Sequence, residues 1–315
     1  MPSVISPMLA HASFFFLLSS LCSSSADRQH VVTGVVIHPN TLTMEEYKTM
    51  VKAGVGRLIL GMNIALPNGT FIIDSRLNKI FMDEIHGLVK NTDTEVHLAI
   101  SPMLEQANVT QFGQGFREQI QHYFTEFNLD GVLIESYLNK ESLQSLQDIG
   151  DILRSTYSWR SSRGQVGLMF DTSESNWDLL SRLVPGAYYD YAVCVLNMDG
   201  PVETANTESF AKGVLDKWSN VTRSPNMLEF GIVPEGRQSA ENAVSYRDLI
   251  QQGAPATGTG KFNGFYYDSQ TQVDEKARIV KAVNMFGISF FGVEADLPAS
   301  DSRSLVAAAL AAFHA

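Results

Sequence analysis

The residues that could do chemistry gather in one short run. Leu129 to Tyr137 reads Leu-Asp-Gly-Val-Leu-Ile-Glu-Ser-Tyr, an apolar β-type stretch bounded by Asp130 on one side and by Glu135 and Tyr137 on the other. Side chains alternate along a strand, so Leu133, Glu135 and Tyr137 project to one face. Glu135 supplies the carboxylate of that face. With Asp171 or Glu294 from elsewhere in the chain it would make an acid/base pair of the kind that hydrolysis needs. Tyr137 offers only a phenol, with an ordinary pKa of about 10 against about 4.3 for a glutamic acid. The competing reading makes Glu135 a lone interior carboxylate held by hydrogen bonds from neighbouring strands. His38, a lone histidine, reads as structural. There is no His-x-x-x-His, cysteine cluster or Asp-rich loop, so neither a metal nor another cofactor is expected. Gly-x-Ser-x-Gly is missing, and with it the main sign of a serine esterase.

Such a face needs a scaffold, and the chain supplies one by alternation. Short apolar runs predict strands at Val31–Ile37, Arg57–Met62, Glu95–Ile100, Gly131–Ile134, Gln165–Phe170, Tyr188–Leu196, Leu228–Val233 and Ile288–Gly292. Between them helical patterns cover Thr43–Ala53, Leu77–Lys90, Phe112–Phe127, Leu143–Thr156, Trp177–Leu183, Ser209–Trp218, Ala240–Gln252 and Gln272–Asn284, and the chain closes with Ser302–Phe313. Strands alternating with helices of this length argue for parallel βαβ units. Eight units point to a single (β/α)8 TIM barrel of class α/β. No Gly-x-Gly-x-x-Gly follows the first strand, which removes the main sign of a dinucleotide-binding open sheet. Ala254–Gly260 is of low complexity and reads as a flexible loop.

Composition sets the surroundings in which this barrel would work. The chain has 315 residues, 44% hydrophobic and 18% charged, enough for one large domain with a sizeable core. A formal net charge of -11 gives no electrostatic case for binding nucleic acid or an anionic membrane surface. Residues 1–26 hold no Lys, Arg, Asp or Glu, centre on Phe14-Phe15-Phe16-Leu17-Leu18 and end in small residues. They read as a secretory signal peptide without the usual basic start, too short in its apolar run to span a membrane. The barrel would then occupy residues 27–315 and be secreted to the extracellular space. Cys22 would leave with the peptide, and Cys194 would remain as a small buried core residue. Sequons at Asn68, Asn108 and Asn220 are candidate N-glycosylation sites.

Several segments resemble one enzyme family, the glycoside hydrolases of family 18, which includes the chitinases. Leu129–Tyr137 is similar to the family's Asp-Gly-x-Asp-x-Asp-x-Glu on the fourth barrel strand: Asp130 and Gly131 match, while Leu133, Glu135 and Tyr137 stand where Asp, Asp and the general acid Glu are expected. Gly231-Ile-Val-Pro-Glu-Gly236-Arg237 resembles Gly-x-Pro-x-Tyr-Gly-Arg. Tyr267-Asp268 through Lys276 keeps the Tyr, Asp and Lys of Tyr-Asp-Asp-x-x-Ser-x-x-x-Lys, and Gly287 through Asp296 is similar to Gly-x-x-x-Trp-x-x-x-x-Asp, with Phe291 at the Trp position. The resemblance covers nearly the whole mature chain in barrel order. The departures cluster where substrate would sit. Leu98–Pro102 lacks Ser-x-Gly-Gly, and Asp190–Met198 lacks Met-x-Tyr-Asp. The span from Arg237 to Tyr267 leaves no room for the α+β insertion domain of many chitinases.

The resemblance implies a chemistry in which the substrate's own acetamido oxygen is the nucleophile. The protein must supply a general acid, an acidic group to orient the acetamido and an aromatic floor. With Tyr137 at the acid position and the orienting partners lost, the implied protein is a pseudoenzyme: a secreted chitinase-like barrel without hydrolytic activity. Its implied partner is a chitin-type or other N-acetylglucosamine-containing glycan, held by Glu135, Tyr137, Asn197 and Phe291, with Tyr266 and Tyr267 as further aromatic candidates. An active hydrolase using Glu135, or a scaffold that binds an unknown protein partner, stay open as alternatives.

Overall fold

The computed structural model describes residues 30–103, 109–135, 143–157, 164–198, 201–222 and 224–315. The expected signal peptide, Asn108 and Tyr137 lie outside the described residues. Eight parallel strands form a closed barrel: β1 (Val31–Val36), β2 (Arg57–Ala65), β3 (Glu95–Pro102), β4 (Gly131–Glu135), β5 (Gln165–Asp171), β6 (Tyr191–Val195), β7 (Leu228–Ile232) and β8 (Gly287–Phe291). Neighbours pair in chain order, and β8 closes on β1 with Val35 beside Phe291. All eight expected strands are present, and this is a (β/α)8 TIM barrel. The sixth starts at Tyr191 rather than Tyr188, because a 3₁₀ turn at Pro185–Ala187 holds the chain away from the sheet first.

Two apolar layers explain why the strands read as nearly unbroken hydrophobic runs. Outward positions such as Val36, Leu58, Val96, Val132, Leu168, Cys194 and Phe230 are buried beneath the helices. Inward positions such as Val35, Ile59, Ala99, Leu133, Met169 and Val193 fill the barrel. A strand buried on both faces has no polar face to show. Cys194 is fully buried, as its apolar surroundings predicted.

The helices take their limits from caps. α1 (Met44–Ala53) opens with a capping box between Thr43 and Glu46. Helices α2 (Lys79–Val89), α3 (Val109–Glu126), α4 (Leu143–Tyr157), α5 (Glu174–Leu183) and α6 (Glu208–Val221) follow strands β2 to β6 in turn. The expected helix over Ala240–Gln252 is shorter. Ala243–Ser245 pairs as a strand with Glu235–Arg237, and Ser245 then caps α7 (Tyr246–Gln251) by accepting from the Asp248 amide at 3.0 Å. The span between Arg237 and Tyr267 carries this helix and a small antiparallel sheet completed by Lys261–Phe262 and Phe265–Tyr266, with no inserted domain. The segment expected to be a flexible loop, Ala254–Gly260, is pinned. The Gly258 carbonyl accepts from Ser269 Oγ at 2.6 Å, its amide donates to Thr271 Oγ1 at 3.0 Å, and the Gly260 carbonyl accepts from the Tyr267 amide at 2.9 Å. Helices α8 (Gln270–Val283) and α9 (Leu305–His314) complete the shell.

Candidate functional site

Asp130 stands just before β4, at the N-terminal end of the barrel and far along the strand from Glu135. Its Oδ2 accepts from the Val96 amide at 2.9 Å, tying the start of β4 to β3. Asp190 does the same for β5 and β6, accepting from the Val166 amide at 2.8 Å. Asp130 is therefore a strand-alignment residue. Gly131, the next residue of the motif, makes room for a ring: a Cβ there would lie 2.2 Å from His97 Cε1. Gly167 on β5 does likewise for Tyr191, 2.2 Å from its Cζ.

Those two rings belong to a buried polar layer that the sequence reading did not anticipate. Arg57 Nη1 donates to Glu229 Oε1 at 2.6 Å, Nη2 to Gln165 Oε1 at 2.6 Å and Nε to Glu95 Oε2 at 3.2 Å. The Tyr191 ring lies 4.0 Å from the guanidinium carbon and its hydroxyl 3.2 Å from His97 Nδ1. Ser289 donates to the other Glu229 oxygen. Burial works against the Arg57 charge, but Tyr191, Glu229 and Glu95 outweigh it and hold the guanidinium more firmly protonated than usual. Burial pushes the His97 imidazole down to about 4, so it is neutral at pH 7. Its Nε2 stands 3.2 Å from Glu95 Oε2, near in distance but poorly aligned for a hydrogen bond. The legible signal was that Arg57, Glu95 and Gln165 are polar first residues of their strands, with Glu229 second in its own. This layer closes the N-terminal end of the barrel, the face that serves stability rather than catalysis.

The opposite, C-terminal mouth carries Glu135. It is the last residue of β4, 4% exposed, in register with Met169 on β5, and its Oε2 is buried with no hydrogen-bond partner among the described residues. Burial raises its pKa to about 7. The two carboxylates weighed as its partners are both engaged elsewhere. Asp171 Oδ1 accepts from the Ser173 amide at 2.8 Å and from Asn176 Nδ2 at 2.7 Å, which fixes the start of α5. Glu294 accepts from the amides of His38 at 2.9 Å and Ile37 at 3.3 Å, tying the end of β1 to the loop after β8. His38 is exposed at the same rim.

The other candidates divide between the mouth and the packing around it. Leu133 is fully buried inside the barrel. Phe291 is 5% exposed and packs into the same interior cluster. Asn197, just past β6, spends its amide on β7: Nδ2 donates to the Val233 carbonyl and Oδ1 accepts from the Val233 amide, each at 3.0 Å. Arg237 donates to the Met198 carbonyl at 3.0 Å and to Glu235 at 3.3 Å. Tyr267 is buried outside the barrel beneath α7, donating to the Pro255 carbonyl at 2.7 Å, and Tyr266 accepts from Lys261 Nζ at 3.0 Å. Asn68 and Asn220 are exposed. A cavity of about 820 Å³ lies elsewhere, between α5 and α6 beside Trp177, Phe210 and Lys217. Among the described residues no group of three or more His, Cys, Asp or Glu could hold a metal ion, and no helix is long and apolar enough to cross a membrane.

Three further motif residues are structural staples. Lys276 Nζ donates to Asp268 Oδ1 and to the Asn206 carbonyl, each at 2.6 Å, with both ionic side chains buried. Asp296 gathers the amides of Leu297 at 2.7 Å, Leu305 at 3.1 Å and Val306 at 3.0 Å with the Ser304 hydroxyl at 2.8 Å, and so anchors the start of α9.

The sequence matches no family model and no curated protein. Solved structures do match, over nearly the whole chain. The GH18 chitinase ChiB of Flavobacterium johnsoniae superposes with a TM-score of 0.71 at 15% identity, covering 91% of this chain and 94% of that one. A glycoside hydrolase family 18 N-acetylglucosaminidase from Paenibacillus barengoltzii gives 0.71 at 15% identity, covering 90% and 99%. A class V chitinase from Nicotiana tobaccum in complex with NAG4 gives 0.68 at 14% identity, covering 91% and 99%. The chain thus shares the fold of these family 18 structures, the fold that the motifs implied.

Proposed function

We propose that this protein is a secreted, glycosylated, chitinase-like barrel that binds N-acetylglucosamine-containing glycans at its C-terminal mouth without hydrolysing them. The observation that carries the reading is the state of Glu135: a buried carboxyl at the end of β4 with Oε2 unpartnered and its pKa raised to about 7. A buried polar atom without a partner is costly. Its retention at the mouth of a barrel of this type is accounted for by a ligand group that completes it. Held neutral, the carboxyl donates one hydrogen bond, which suits an acetamido carbonyl. Phe291 then serves as the aromatic floor.

Hydrolysis needs more than this. The acid position is Tyr137, and losing a general acid forfeits ~10²–10⁴ in rate. Asp171 and Glu294 are committed to backbone and side-chain donors, so neither pairs with Glu135 as a base. One observation favours the hydrolase reading: a carboxylic acid poised near pH 7 is what a general acid requires. Turnover abolished by Glu135→Gln would establish it. The signal peptide at residues 1–26 supports secretion, and exposed Asn68 and Asn220 support glycosylation.

Titration calorimetry with an N-acetylglucosamine tetramer tests the binding. Saturable binding to the wild type, weakened at least tenfold by Glu135→Ala, is expected. No binding to the wild type at millimolar tetramer would leave a scaffold for a protein partner as the surviving account.

A further inference from the structure

The groove between α5 and α6 has the make-up of a second site. Its cavity of about 820 Å³ falls within the range of small-molecule pockets. None of the residues lining it belongs to the cluster that fills the barrel, so it is separate from the mouth that holds Glu135. On the α6 side the wall is a single stripe, with Phe210, Gly213, Val214 and Lys217 at i, i+3, i+4 and i+7. Opposite them α5 presents Trp177, whose ring packs edge-on against Phe170 with centroids 5.5 Å apart. Gly213 leaves the gap between these walls. It lies inside α6, where glycine is the least favoured residue after proline. Neither usual reason for a glycine applies: its φ is not positive, and a Cβ built on it would meet no atom within 4 Å. The residue does nothing for the helix, and its missing side chain keeps the cavity open.

The lining decides what would enter, because its strongest polar groups are spent on one another. Lys217 Nζ donates to Glu174 and lies 5.8 Å from the centre of the Trp177 ring, so the cation and the carboxylate that line the cavity form their own pair. The Trp177 indole N–H donates to the Thr172 carbonyl at 3.3 Å. Thr207 Oγ1 donates to the Thr204 carbonyl at 2.7 Å and caps α6 by accepting from the Phe210 amide at 3.2 Å. What is left is the surface of Trp177, Phe210 and Val214 with a few hydroxyls, among them those of Thr204 and Ser209. A charged ligand would have to break the Lys217 pair to gain a counter-charge, and an oligosaccharide would bury hydroxyls with few groups to receive them. A neutral ring compound meets neither cost. Its faces pack on the two aromatic side chains, and a hydroxyl orients a polar substituent. We propose that this cavity is a binding site for a neutral, ring-containing apolar molecule, independent of any glycan at the mouth.

The test titrates N-phenyl-1-naphthylamine, a neutral two-ring fluorophore, into the purified protein and follows its emission. Saturable binding to the wild type is expected. Gly213→Leu puts a side chain into the open space and should weaken binding about tenfold or more. Its urea midpoint should stay at or above that of the wild type, since leucine is the better helix former. Glu135→Gln should bind the probe as the wild type does, and excess N-acetylglucosamine tetramer should not displace it. Absence of saturable binding to the wild type, or unchanged binding by Gly213→Leu, would overturn the proposal. A Gly213→Leu midpoint well below that of the wild type would mean that the space is not open, and would overturn it too. Loss of the probe in Glu135→Gln, or its displacement by the tetramer, would put the probe in the mouth and overturn it equally.

Discussion

At the scale of single residues, Glu135 is expected to lower the stability of its own fold. Its ordinary pKa of 4.5 rises to about 7 on folding, so between those values the native state holds a proton that the unfolded chain has lost. Stability from this group is present below pH 4.5 and falls as pH rises toward 7, by on the order of 3 kcal/mol. Asp296, raised to about 6 by burial, acts in the same sense at lower pH. His97, lowered to about 4 by burial, acts in the opposite sense, since the unfolded imidazole binds the proton first. The difference between wild type and Glu135→Gln isolates the one group. Urea denaturation should show the variant more stable by a few kcal/mol at pH 8 and the gap closing as pH falls to 4.5. A gap that does not change with pH would mean that the carboxyl is not held neutral. Sequence alone gave this residue's place on the strand face, because alternation is a local property. It could not say that Asp171 and Glu294 would be occupied, because those hydrogen bonds come from turns that the sequence pattern does not resolve.

At the scale of elements, the motifs near the C-terminus act as fasteners. The pair Asp268 and Lys276 bolts the start of α8 to the loop before α6, where the Asn206 carbonyl takes the ammonium's second bond. Burial pushes the Asp268 carboxyl up, and Lys276 opposes that shift. Removing one partner leaves the other buried and uncompensated. Lys276→Met should cost about 3–5 kcal/mol in denaturant unfolding, while Asp268→Leu with Lys276→Met should cost far less than the two single changes together. Additive effects would show that the pair is not coupled. The strands were legible because a parallel strand buried on both faces is an unbroken apolar run. The seventh helical pattern was misjudged because Ser245 caps a helix midway through it, after Val244 has already paired with Gly236. The polar layer around Arg57 was illegible for a different reason. Each residue contributes one polar position at a strand start, and only barrel closure brings Arg57, Glu95, Gln165 and Glu229 together.

At the scale of the whole molecule, the barrel separates its two ends by chemistry. The N-terminal end is closed by charges that satisfy one another, and at the C-terminal end Glu135 is a buried carboxyl with an oxygen that no described residue satisfies. The fold is shared with a solved chitinase and a solved N-acetylglucosaminidase, while Tyr137 stands where the motif resemblance expects the general acid. That combination predicts recognition without turnover. The most direct test incubates the protein with chitin beads and soluble N-acetylglucosamine oligomers at pH 5.5, reading retention and released sugar in the same tubes. Retention with no release above the protein-free control is the predicted result. Release that disappears in Glu135→Gln would contradict the account, since it would make the carboxyl a catalyst rather than a ligand donor.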